Sequence, residues 1–177
     1  GDAMGWRDYT ILHLMSHYGL RPCEVASLRL DDIDLVARTL RVAQRKTRSI
    51  LVLPIADRTL RIIKRYLFAG RPGSERPELF LRARGPAGPM KNGVGNIYQS
   101  RAASSGLDLR GTSAYSLRHS FAMRLLERGV GIKAIGDVLG HRGLESTCVY
   151  LRLQLDALRD VALPVPKVAV AVTGGGQ

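Results

Sequence analysis

The chain has 177 residues, 45% of them hydrophobic, and 27 lysines and arginines stand against 15 acids, for a net charge of +12 and a pI near 10.5. That length suits one domain with a core of its own, and the longest late apolar run, Val168–Val172, is too short to span a bilayer. Cys23 and Cys148 lack metal-ligand spacing and sit in apolar helical patterns, so they read as buried, reduced thiols of a cytoplasmic protein. The charge favours a polyanion, bound through counterion release.

Residues 1–5 resemble an expression remnant and are set aside from the fold. A first helix is predicted from near Asp8, with Ile11, Leu12, Leu14, Met15 and Tyr18 on a helical period and Gly19 as its left-handed stop. In Leu20-Arg21-Pro22-Cys23-Glu24, proline at the first helical position makes Arg21 the N-cap, held on a corner by the restriction on pre-proline residues. Glu24 falls at the third helical position, where its carboxylate reaches back to the cap amide, and Val25 and Leu28 continue the apolar face. Asp31–Asp34 is a polar break.

Leu40 and Val42 alternate with Arg41, and Ile50–Leu53 follow a polar turn, Gln44–Ser49; this predicts a β-hairpin ended by Pro54. Asp57 is predicted to cap a helix reaching Phe68, with Leu60, Ile63 and Leu67 inward and Arg58, Arg61, Lys64 and Arg65 outward. Leu79–Leu81 is a third strand candidate beside the hairpin, and Asn92–Ser104 a weaker helix. Ser116 is predicted to cap a helix reaching Arg128, with Leu117, Phe121 and Leu125 as its stripe and Gly129 as its end. Ile132–Leu139 reads as a short helix closed by Gly140, and Leu144–Leu151 and Leu153–Val161 as two further helical pieces. Residues 164–177 read as a flexible tail. The sum is a mixed α/β fold, predominantly α-helical, with a small antiparallel sheet of three strands at one edge and one domain over residues 6–163.

Several residues have chemistry suited to a phosphodiester. Its non-bridging oxygens match planar, permanently charged guanidinium groups, and Arg21 and Arg118 each stand at a predicted helix start. A tyrosine phenol can attack phosphorus and be released again, and Tyr150 lies nine residues beyond His141. A departing 5′-oxygen needs a proton, which Lys46 on the hairpin turn could give, and His141 could donate to a phosphoryl oxygen or assist proton transfer. Each residue alone has a plainer reading: a surface arginine, a solvated turn lysine between Arg45 and Arg48, a histidine at a helix C-cap, a core tyrosine. Gly129–Tyr150 also reads as a helix-turn-helix, although that leaves Arg21 and Lys46 without a role.

Taken together, these pieces resemble the tyrosine recombinase (phage integrase) family, in its C-terminal catalytic domain. The resemblance runs through Tyr18-Gly19-Leu20-Arg21-Pro22-Cys23-Glu24, Leu28, Asp32-Ile33-Asp34, Lys46, Leu117-Arg118-His119-Ser120-Phe121-Ala122, Leu139-Gly140-His141 and Tyr150. It implies Arg21 and Arg118 as phosphate clamps, Lys46 as general acid, His141 as a supporting phosphate ligand and Tyr150 as nucleophile. Tyr115 stands where the family usually has histidine, and its phenol can donate a hydrogen bond but not share the imidazole's proton exchange. Arg45 and Arg48 stay open as alternatives to Lys46. The resemblance also implies double-stranded DNA as partner, a homo-tetramer on that DNA, and no cofactor, metal or membrane. The family's N-terminal helical clamp domain is expected to be missing from this chain. Leu155, Leu158 and Val161 could dock on a neighbouring protomer or pack back on their own.

Overall fold

The computed structural model describes residues 3–44, 47–82, 88–90, 93–141 and 147. Helices α1 (Ala3–Tyr18) and α2 (Pro22–Ser27) lead through a short 3-10 turn at Leu30–Asp32 into strands β1 (Ile33–Asp34), β2 (Thr39–Gln44) and β3 (Ser49–Pro54). Four helices follow: α3 (Asp57–Ala69), α4 (Val94–Ser104), α5 (Ala114–Glu127) and α6 (Ile132–Leu139). The fold is mainly helical with a three-stranded antiparallel sheet of order β1-β2-β3, and the hairpin of β2 and β3 falls where the alternating period predicts it.

α1 is the central helix, packed against both α3 and α5. Its Ile11, Leu14 and Met15 are wholly buried, and they meet Ile63 and Tyr66 of α3 and the Leu79–Phe80 segment in one core. Burying a side chain of this size removes about 1.5–3 kcal/mol of exposure cost, so this helix face is the main anchor of the domain. Tyr66 stacks on Phe80 at 5.2 Å and donates to the Leu79 carbonyl at 3.1 Å, which satisfies its buried hydroxyl. A second, smaller cluster of Ala122, Ile135 and Leu139 joins α5 to α6.

Pairing of Leu40 with Leu53 and Val42 with Leu51 fixes the hairpin register. It turns Leu40, Val42 and Gln44 inward. Ile50 and Val52 are left on the outer face.

Five expectations are corrected. α1 begins at Ala3, a turn and a half before Asp8, because its first turn packs on Gly70, where an added Cβ would lie 3.0 Å from the Ala3 carbonyl. Ala56, not Asp57, caps α3; Asp57 is the first helical residue and pairs with Arg38 at 2.6 Å. The third strand is Ile33–Asp34, while Leu79–Leu81 forms only isolated bridging pairs around it and is buried in the core. A continuous apolar triplet carries no period with which to tell strand from buried connection. Ser113, not Ser116, caps α5, and Ser116 reaches back to the Ser113 amide at 3.1 Å. Cys23 is exposed rather than buried, since α2 turns that position away from Val25. The predicted helical pieces beyond residue 144, with Cys148, Leu155, Leu158, Val161 and the tail, lie outside the described residues, except that Thr147 is helical and buried.

Candidate active site

The site forms where the C-terminal end of α1 meets the start of α2, the second turn of α5 and the C-terminal end of α6. Gly19 makes the first corner at φ +64°, and a side chain there would strike Phe121 at 2.5 Å and Leu139 at 2.9 Å. Only glycine allows both the left-handed turn and that approach. The next residues set Arg21 in extended backbone (φ −72°, ψ 152°) before Pro22, as the pre-proline rule predicts.

Glu24 then closes the corner. Its Oε2 accepts the Arg21 amide at 2.7 Å and its Oε1 accepts Arg21 Nη1 at 2.7 Å. The carboxylate is buried and also faces Arg118, with Oε2 3.9 Å from Nη1. The capping role was legible in the sequence; the second role, as a shared counter-charge for two arginines, was not.

Arg21 and Arg118 are both buried, and both spend hydrogen bonds on backbone carbonyls. Arg21 Nη2 donates to Gly140 O at 3.0 Å. Arg118 Nη1 donates to Gly19 O and its Nη2 to Leu139 O. The last carbonyls of a helix have no partner within it and carry the negative end of its dipole, so two guanidinium groups at the end of α6 satisfy them and are oriented by them. Arg118 therefore does not sit among the free amides of a helix start, as the Ser116 cap implied. It lies a turn further into α5 and reaches across to two other elements.

Gly140 ends α6 in the left-handed conformation (φ 60°), and His141 follows it. The His141 ring is half-buried, with Nδ1 2.8 Å from Thr147 Oγ1. That bond orients the ring against the Thr147 hydroxyl. Two arginines, one buried carboxylate and an oriented imidazole thus share one ledge, with a net positive charge in a low-dielectric setting. Such an arrangement favours an anion that accepts from planar donors.

The structure brings together Arg21, Arg118 and His141. Tyr115 is on the exposed side of the first turn of α5, at 53% exposure. Lys46 and Tyr150 lie outside the described residues. Two contributors were missed in the sequence. Thr147 had no signal. Gln44 had one, since the inward alternation Leu40, Val42 puts a polar residue at the next inward position, and buried polar residues are the informative exceptions.

A mainly helical domain with a small edge sheet and this paired-arginine ledge is the fold of tyrosine recombinase catalytic domains. Known proteins agree. The phage integrase family matches residues 2–156, and the chain belongs to that family. It is 37% identical over 168 residues to the putative integrase/recombinase y4gC of Sinorhizobium fredii, covering 94% of this chain and 87% of that protein. It is 33% identical to the tyrosine recombinase XerC of Pelobacter propionicus, covering 90% of this chain but 52% of that one. Against a second Sinorhizobium fredii integrase/recombinase, y4rA, it spans 40% of the relative's length. Among solved structures, XerA recombinase superimposes with a TM-score of 0.73 at 23% identity, over 90% of this chain and 58% of that one. XerH recombinase bound to palindromic difH substrate superimposes with a TM-score of 0.73 at 18% identity, over 91% of this chain and 46% of that one. Among the described residues no helix is long and apolar enough to cross a membrane.

Proposed function

We infer that the chain is the catalytic part of a site-specific DNA recombinase, breaking and rejoining strands through a 3′-phosphotyrosyl ester. The observation that carries this reading is the buried Arg21–Glu24–Arg118 group at the end of α6, beside His141. In it Arg21 and Arg118 hold the non-bridging oxygens of the scissile phosphate and stabilise the added charge of the pentavalent transition state. The Tyr150 oxygen attacks phosphorus and gives up its phenolic proton, with His141 assisting that transfer, as the bond from phosphorus to O5′ breaks and Lys46 protonates the departing oxygen. His141 donates to the phosphoryl group, and Tyr115 supplies a hydrogen bond where the family usually has histidine. The ester keeps the energy of the broken bond, so the reverse attack by a 5′-hydroxyl reseals the strand without ATP.

The names of relatives as integrases and tyrosine recombinases, and a neighbour in complex with its DNA substrate after cleavage, support this reading. The +12 charge supports double-stranded DNA as the partner. A cytoplasmic homo-tetramer on that DNA is the assembly in which strand exchange would proceed.

Covalent trapping tests it. The chain is incubated with nicked duplexes of randomised sequence, so that the short 5′-hydroxyl fragment escapes and the ester accumulates. A denaturant-resistant adduct that disappears in Tyr150→Phe is expected. An adduct that survives Tyr150→Phe moves the nucleophile elsewhere, and binding without any adduct favours a module that only holds DNA.

A further inference from the structure

We propose that Gln44 is a positioning residue, which ties the ends of the β2–β3 turn, at Gln44, Thr47 and Ser49, to the end of α6 and so serves the general acid assigned to Lys46. This rests on the reading of Lys46 as the acid.

Gln44 is the last residue of β2 and only 6% exposed. Its carboxamide works in two directions. Nε2 donates to the Val138 carbonyl of α6 at 3.3 Å, across 94 positions of sequence. Oε1 accepts from Thr47 Oγ1 and from Ser49 Oγ, each at 3.2 Å, and those two hydroxyls are 2.7 Å apart. The opposite amide orientation would set the oxygen against the Val138 carbonyl, so the hydrogen-bond network selects this one.

The side chain is also held by contact. A Cβ on Gly140 would come within 2.6 Å of the Gln44 Cδ and Oε1 atoms. The carboxamide thus lies flat against the residue whose carbonyl accepts Arg21. The turn is bracketed by Gln44 on one side and by Thr47 and Ser49 on the other, and Arg48 adopts a left-handed φ of 55° within it. Gln44, Thr47 and Ser49 are thus tied to one buried carboxamide, and cannot shift without it. That group is fixed on the ledge that holds the clamps. A misplacement of an ångström in such a constellation is costly to rate, which gives a buried polar side chain a reason to stand at an inward strand position.

The test exploits the leaving group. A 5′-bridging sulfur in place of O5′ leaves as a thiolate, whose conjugate acid has a pKa of about 8.5 in the cysteine thiol, so it departs without a proton. Gln44→Met keeps the length and the packing on Gly140 but neither donates to Val138 nor accepts from the turn as an amide does; Gln44→Ala removes the contact as well. Single-turnover cleavage is measured for the full chain on the best-trapped duplex from the randomised pool, with oxygen and with sulfur at the scissile position. Loss of about 10–100-fold on the oxygen substrate is expected for Gln44→Met, with recovery to about twofold of wild type on sulfur, since general-acid contributions are of about 10²–10⁴-fold. Equal loss on both substrates, or no loss on oxygen, overturns the proposal.

Lys46→Ala is the control for the reading beneath it. If Lys46→Ala is not recovered by sulfur while Gln44→Met is, the acid is another cation of the turn and Gln44 still positions it. If neither recovers, both fail. Hydrogen exchange gives a reading that needs no cleavage. Residues 45–49 and the His141 amide are expected to exchange faster in Gln44→Met, with α3 unchanged, and an unaltered turn overturns the proposal.

Discussion

Two arginine–carboxylate–arginine groups, each with a buried carboxylate, lie towards opposite ends of α1, and they resolve the same electrostatic problem differently. At the N-terminal end, Asp8 is saturated. Its Oδ1 accepts Arg7 Nε at 3.0 Å and Nη2 at 2.7 Å, and its Oδ2 accepts Arg101 Nε at 2.9 Å and Nη2 at 2.8 Å. At the C-terminal end, Glu24 divides its oxygens between the Arg21 guanidinium and the Arg21 amide, and Arg118 stands 3.9 Å away. There the arginines turn to carbonyls, which orient them but carry no full charge. In the first group two guanidinium groups share every oxygen of the carboxylate; in the second, one carboxylate serves a guanidinium, a backbone amide and a more distant guanidinium. Residue type and burial alone do not distinguish the two groups. The partners do.

The largest effect expected is on that distinction itself. Arg118→Lys keeps the charge but loses the planar fork, and single-turnover cleavage should fall by about 10²–10³-fold. Arg7→Lys should leave cleavage per folded molecule unchanged. A next and smaller contrast is between the carboxylates. Asp8→Asn uncovers two cations and should lower stability to denaturant by about 3 kcal/mol, with the cleavage rate of the folded fraction retained. Glu24→Gln should lower stability less and the rate more, because carbonyls still hold both guanidinium groups while their shared counter-charge is gone. The reverse pattern would erase the difference between the groups.

A buried basic side chain within α1 shows what happens when no carboxylate is at hand. His13 is buried against Thr59 Oγ1 at 2.8 Å. Burial, with smaller contributions from His17 and Arg58, lowers its pKa from 6.5 to about 4. An arginine cannot escape by losing its proton, whereas a histidine can. The folded chain therefore binds fewer protons than the unfolded chain between those values. Stability from this group is full above pH 6.5 and declines as pH falls towards 4, by about 3 kcal/mol. Thermal unfolding across that range should show a slope that His13→Asn reduces; an equal slope in the variant would assign it to other groups.

Much of this molecule was legible in the chain itself. The Gly19–Arg21–Pro22–Glu24 corner follows from local rules, because the pre-proline restriction, the capping carboxylate and the left-handed glycine act within six residues. The hairpin, α6 and its Gly140 stop follow from period and punctuation in the same way. The start of α5 was misjudged at Ser116: Ser113, three residues earlier, fits the same local rule and is the cap in the fold, with Ser116 reaching back to its amide. Leu79–Leu81 was misjudged because an unbroken apolar run has no face. What only the tertiary structure decided were the long-range bonds: Arg118 on the carbonyls of Gly19 and Leu139, Arg21 on Gly140, and Gln44 on Val138. The sequence determined which groups could hold a phosphate, because that is a property of side-chain chemistry and of turns a few residues long. Their convergence depends on the burial of α1, α5 and α6 against one another, a sum of contacts between residues far apart in the chain that no local pattern contains.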